Sequence, residues 1–263
     1  MSTLRFLVAL LVSVVAVAGV CAAEPTNLQL YLLVGQSNMA GRGVVEPDDQ
    51  KPHPRVLMLD RAGAWVPAID PMHFDKSSVG VGLGRTFGMI VADADPTITV
   101  GLIPCAVGGS PIEAWQPGAY YEPTKSHPWD DAIARAKLAM KSGTLKGILW
   151  HQGESNSNAK DAPEYPAKLD DLVARFRKEL AAPDVPFIVG GLGKFDEVPW
   201  DAPREQVDQA LRSLPQRVPH TAFVGAEGLK HKGDKVHFDA VGYREFGRRY
   251  AAAYQKLTAQ GSP

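Results

Sequence analysis

Cysteine is nearly absent from this chain: 263 residues hold two, Cys21 and Cys105. Two thiols so placed suggest neither a disulfide framework nor a structural zinc site, so the fold must rest on its apolar core. Charge of one sign is also missing in bulk, because 28 basic and 29 acidic residues are interspersed without long like-charge runs. That balance leaves no footprint for nucleic acid. There is no internal repeat, no low-complexity tract after the first residues and no phosphate-cradling glycine loop. With 45% hydrophobic residues, a chain of this length is expected to form one large domain.

The first 23 residues differ from the rest. Arg5 precedes an apolar stretch from Phe6 to Val20, and Cys21-Ala22-Ala23 supplies small residues before Glu24. This pattern reads as a cleaved secretory signal over 1–23, shorter than a membrane span and without a stop-transfer flank. The expectation is an exported protein, periplasmic or secreted, with no stable membrane insertion after cleavage and a single domain over 24–263. Cys105 then remains as the one cysteine, set in the apolar run Ile103 to Val107 and read as a packed side chain.

Five short apolar runs, Leu28–Val34, Val56–Leu59, Ile98–Ile103, Gly147–Trp150 and Pro186–Val189, read as strands buried on both faces. Between them lie stretches of helical spacing, with Ala132, Ile133, Ala136 and Met140 in one and Leu169, Leu172, Val173, Phe176 and Leu180 in another. Alternation of this kind predicts an α/β fold of three layers, α/β/α, around a doubly wound five-stranded, mostly parallel sheet. A last helix over about 239–257 would bury Val241, Phe246, Tyr250 and Tyr254. The proline-rich stretches Glu46–Pro54 and Pro111–Pro128 are expected as loops over the carboxyl edge, where such sheets bind ligands.

Four polar motifs fall at that edge. Gly35-Gln36-Ser37-Asn38-Met39-Ala40-Gly41 follows the first strand and puts a serine at a sharp turn, either a nucleophile or a capped turn. Gly108-Gly109-Ser110 follows the third strand and could present backbone N–H groups to a developing oxyanion. His151-Gln152-Gly153-Glu154-Ser155 follows the fourth, where Gln152 could donate to that oxyanion and Glu154 could orient a histidine. Asp234-Lys235-Val236-His237 offers a carboxylate and an imidazole three residues apart, enough to activate a serine hydroxyl. Together they imply acyl transfer to water without a metal or other cofactor.

In this order, Gly-Gln-Ser-Asn-Met, Gly-Gly-Ser, Trp-His-Gln-Gly-Glu-Ser and Asp-x-x-His make the chain resemble the SGNH-hydrolase superfamily. The resemblance is to its sialate O-acetylesterase-like group, which includes the acetylxylan esterases of carbohydrate esterase family six. It runs from about Leu28 to the final helix and implies a flavodoxin-like fold. By motif position it implies Ser37 as nucleophile, His237 as general base and Asp234 as its partner, with Glu154 the alternative triad acid. It also implies an oxyanion hole made of the N–H groups of Ser37 and Gly109 and the amide of Gln152, with Gly108 as a substitute donor. The substrate it implies is an acetylated carbohydrate, of the acetylxylan or sialic-acid type. Among loop residues able to meet a sugar, Trp115 and His73 are the candidate contacts. A short-chain ester or lipid hydrolase with the same site, and a non-catalytic carbohydrate-binding protein on the same fold, are the alternatives.

Overall fold

The computed structural model describes residues 27–259; the expected signal segment lies outside them. The central strand, β1 (Leu28–Gly35), shows why the chain folds as layers. Leu30, Leu32 and Val34 enter one apolar core, and the alternate Tyr31 and Leu33 enter the other. Apart from Gln29 near its start, this strand is apolar on both sides, has no face to give to water and must lie between two layers.

The other strands are β2 (Val56–Leu59), β3 (Trp65–Pro67), β4 (Thr99–Pro104), β5 (Thr144–His151), β6 (Phe187–Gly190) and β7 (Thr221–Val224). They form one sheet in the order β3-β2-β4-β1-β5-β6-β7. All pairings are parallel except β2 with β3. The sheet therefore has seven strands, not the five expected. β3 is three residues long, partly exposed and holds Pro67, and β7 opens on Thr221 with only three apolar residues after it, so neither reads as a strand by itself.

Helices cover both faces. On one lie α2 (Leu83–Ala94) and, at the C-terminal end, the long helix Ala240–Ala259; the other is covered by α3 (Pro128–Ala139), α4 (Tyr165–Glu179) and α5 (Ala202–Arg212). The spacing expected for α3 and α4 is observed, with Ala132, Ile133, Ala136, Leu169, Leu172, Val173 and Phe176 all buried. In the last helix Tyr243, Phe246, Tyr250 and Tyr254 make the packed stripe, and Val241 is 69% exposed. Val241 stands five residues before Phe246, off the three-to-four spacing that defines a helix face. Cys105 is a free thiol packed beside the core, and burial pushes it up to about 12. No helix of the described residues is long and apolar enough to cross a membrane.

Candidate active site

Strands β4, β1 and β5 are neighbours, so their carboxyl ends bring three of the four motifs to one crevice. The chain reverses direction of winding at β1, the place where open α/β sheets bind their ligands. Gly35 makes the turn out of β1 possible. Its φ is +127°, and a Cβ there would sit 2.1 Å from the carbonyl oxygen of His151, so only glycine fits between the two loops. The N–H of Gln36 donates to that same carbonyl at 2.8 Å, tying the serine turn to the end of β5. Ser37 then opens a four-residue helical turn, α1 (Ser37–Ala40), and is only 7% exposed.

Asp234, His237 and Ser37 form a continuous chain of contacts. His237 Nε2 lies 2.9 Å from Ser37 Oγ, and His237 Nδ1 lies 2.7 Å from Asp234 Oδ2. The other oxygen of Asp234 accepts the backbone N–H groups of Val236 at 3.0 Å and His237 at 2.8 Å. Partial burial works against this carboxylate, but those N–H groups and the imidazole outweigh it and bring it down to about 2. An ionised Asp234 can only accept, so Nδ1 carries the proton and Nε2 is left to receive one from the serine hydroxyl. The arrangement can therefore move a proton off Ser37.

Glu154, the alternative acid, is engaged elsewhere. Its Oε1 accepts the side-chain amide of Asn38 at 2.5 Å and lies 3.6 Å from His151 Nε2; it makes no hydrogen bond to His237. Burial pushes its carboxyl up, but His151 and Asn38 outweigh that and hold it near 2. Asn38 is fully buried and is the hub of the site. It receives the hydroxyl of Tyr243 at 2.6 Å and donates to Val236, the residue before His237, at 3.1 Å. Nothing in the spacing of the motifs points to that role; only its place beside Ser37 does.

The oxyanion side requires two corrections. Gln152 is completely buried, and its amide nitrogen faces Asn156 at 2.7 Å, Gln36 at 3.2 Å and the Ser110 carbonyl at 3.3 Å, while its oxygen accepts Tyr165. Two amide protons with three acceptors leave none for a substrate, so Gln152 is a strut between loops. The N–H of Gly108 donates at 2.8 Å to Asp75, which also pairs with Arg42 at 2.6 Å in a buried contact. By contrast, the N–H groups of Ser37 and Gly109 have no acceptor among the described residues. Gly109 has φ +82°, a conformation that strains any other residue. Asp75 and Arg42, absent from every motif, thus fix the loop that carries Gly109.

Both proposed sugar contacts are interior. Trp115 is fully buried against Trp150 and donates to Ser110 at 2.9 Å; a large indole with a satisfied N–H is what a core selects. His73 is 4% exposed and accepts the N–H of Ala106, and burial holds it down to about 3, neutral and out of reach. The side chains that face Gly109 are different ones. A Cβ on that glycine would lie 3.0 Å from the Tyr121 hydroxyl and 3.8 Å from Lys76 Nζ. Behind the same loop, Arg61, Phe74, Asp75, Ser126 and Arg135 help to line a cavity of about 460 Å³.

This geometry can be set beside known proteins. The sequence profile of the family described as carbohydrate esterase, sialic acid-specific acetylesterase matches residues 27–256. A probable carbohydrate esterase of Arabidopsis thaliana is 31% identical over 255 residues, 88% of this chain and 91% of that one. A probable 9-O-acetyl-N-acetylneuraminic acid deacetylase of Escherichia coli is 24% identical over 60% of this chain and 62% of its own. The crystal structure of the Arabidopsis protein superposes with a TM-score of 0.77 at 29% identity, covering 88% of this chain and 98% of that one. The crystal structure of NanS shares the fold, with a TM-score of 0.74 at 19% identity over 91% of this chain and all of that one. The chain belongs to the carbohydrate esterase, sialic acid-specific acetylesterase family and is a carboxylic ester hydrolase of the O-acetyl esterase kind.

Proposed function

We propose that the protein is a serine esterase that removes O-acetyl groups from acetylated saccharides through an acetyl-enzyme. The observation that carries this reading is the contact chain from Asp234 through His237 to Ser37, together with the N–H groups of Ser37 and Gly109, which have no acceptor among the described residues. Ser37 Oγ attacks the acetyl carbonyl as His237 Nε2 takes its proton, and the negative oxygen is held by the N–H groups of Ser37 and Gly109. The tetrahedral adduct then expels the sugar oxygen, which leaves with the proton from His237. Water, deprotonated by the same imidazole, attacks the acetyl-serine and releases acetate. Every step uses a group of the chain itself, and no cofactor enters.

The sugar would lie over Gly109, where the Tyr121 hydroxyl and the Lys76 ammonium can meet its oxygens; acetylxylan and acetylated sialic acid are the two substrate types to compare. The proposal extends to an exported enzyme, periplasmic or secreted, with neither nucleic acid nor stable membrane insertion in its working life. The apolar stretch from Phe6 to Val20 after Arg5 supports that part. Hydrolysis of 4-nitrophenyl acetate and of acetylated saccharides by the wild type and by Ser37→Ala tests the mechanism. Wild-type turnover on both substrates with loss of both in the variant is expected; equal rates in the two proteins would overturn it.

A further inference from the structure

A second histidine–carboxylate pair stands behind the turn that carries Asp234. His231 pairs with Phe238 as an isolated antiparallel bridge, and Lys232 N–H donates to the His237 carbonyl at 2.9 Å, so residues 231–238 form a closed hairpin. The tip of this hairpin is conformationally demanding. Gly233 has φ +112° and Lys235, a non-glycine residue, has φ +61°. Asp234 lies between them. The N–H groups of both neighbours converge on one atom, His231 Nδ1, at 2.9 Å from Gly233 and 3.2 Å from Lys235.

Backbone N–H groups only donate, so Nδ1 must present its lone pair and Nε2 must carry the proton. Nε2 meets the carboxylate of Glu197, from the loop after β6, and this contact holds the Glu197 carboxyl below its ordinary range. The ring packs edge-on against Phe195 at 4.9 Å, which fixes its plane. Glu197 thus selects the tautomer of His231, and His231 brackets the residue whose carboxylate orients His237.

We propose that His231 and Glu197 are a positioning pair for the catalytic Asp234–His237 couple. The inference rests on the serine-esterase reading above. In this pair His231 touches no substrate; it holds the Asp234 carboxylate where His237 Nδ1 can donate to it. Loss of the Nδ1 acceptor frees the hairpin tip, and misplacement of the couple lowers the rate of the chemical step with little effect on substrate binding.

The test compares His231→Leu, which keeps bulk and removes the acceptor, with His231→Asn, whose side-chain oxygen stands near the position of Nδ1. Glu197→Ala serves as a third variant that leaves the hairpin's own residues intact. Turnover of 4-nitrophenyl acetate is measured together with the downfield proton resonance of His237 Nδ1–H. For His231→Leu, kcat is expected to fall about 10- to 100-fold with KM changed less than about twofold, and the resonance is expected to move or vanish. His231→Asn is expected to recover most of both readouts, and Glu197→Ala to fall between them. The inference is overturned if the leucine variant keeps wild-type kcat, if leucine and asparagine lose activity equally, or if kcat falls while the resonance stays in place. Should His231→Leu fail to fold, unchanged kcat and resonance in Glu197→Ala would overturn it alone. Failure of the esterase reading looks different, because Ser37→Ala would then retain turnover.

Discussion

The carboxylate of Glu154 accepts the amide of Asn38 at 2.5 Å, while the imidazole of His237 meets Asp234 instead. Two acids near one serine thus have separate partners: Asp234 holds the imidazole of His237, and Glu154 anchors Asn38, the residue next to Ser37. Substitution should separate them. Asp234→Asn removes the acceptor that sets the His237 tautomer and is expected to lower kcat by about 10⁴-fold, as loss of an orienting carboxylate does in serine triads. Glu154→Gln keeps an acceptor for Asn38 and is expected to cost about tenfold or less. Turnover of an aryl acetate by each variant checks the order, and the reverse order would return the triad role to Glu154.

Glu154 also leaves a signature in stability. Its carboxyl is lowered from 4.5 to about 2 in the folded protein. Between those values the unfolded chain binds more protons than the folded one, so stability rises with pH. The contribution is fully present above about pH 4.5 and is lost as pH falls through about 2. Urea unfolding of wild type and Glu154→Gln from pH 2 to 6 should show a gap that narrows toward the acid end. A constant gap would show that the carboxylate is not held ionised by His151 and Asn38.

Gln152 and Gly109 occupy neighbouring loops but should fail in different ways. Gln152→Ala leaves Tyr165 and Asn156 with lost partners inside the protein and is expected to cost about 2–4 kcal/mol of stability. Gly109→Ala forces a Cβ into a positive-φ site 3.0 Å from the Tyr121 hydroxyl and displaces an oxyanion donor. Its expected cost is about 10²- to 10³-fold in kcat. Thermal melts and kcat measured side by side on the two variants check this. A Gln152→Ala protein with native stability and a collapsed kcat would restore the amide as an oxyanion donor.

Much of this was legible in the residues. Runs such as Leu28–Val34, apolar at every position but Gln29, announce buried strands, and the motifs after them fall at the carboxyl edge by topology alone. Ser37, Asp234 and His237 follow from what a hydroxyl nucleophile needs. Sequence does not report where a side chain points. Gln152 and Trp115 have the right chemistry for a site, yet burial and hydrogen bonds commit them to the core. The short β3 escapes notice because Pro67 within its run argues against a strand, and β7 because its apolar run, Ala222–Val224, is three residues long. Arg42 and Asp75 meet across 33 residues, a distance no local spacing encodes.

Lys76 and Tyr121 should govern sugar binding and not chemistry. Lys76→Ala is expected to raise KM for an acetylated xylo-oligosaccharide or an acetylated sialic acid by about tenfold, the worth of one hydrogen bond to a charged group. The same variant should leave the kcat and KM of a small aryl acetate within about twofold. Steady-state kinetics on both substrate types decides it, and equal effects on both would remove Lys76 from the sugar site.

The proposed mechanism passes through a covalent acetyl-enzyme at Ser37. Acid quenching during turnover of an acetylated saccharide, followed by mass spectrometry of the digested protein, tests it most directly. An acetyl group is expected on the peptide that contains Ser37 and none on the same peptide from Ser37→Ala, which should also release no acetate. An acetyl group on another residue, or acetate release by Ser37→Ala at the wild-type rate, would contradict it.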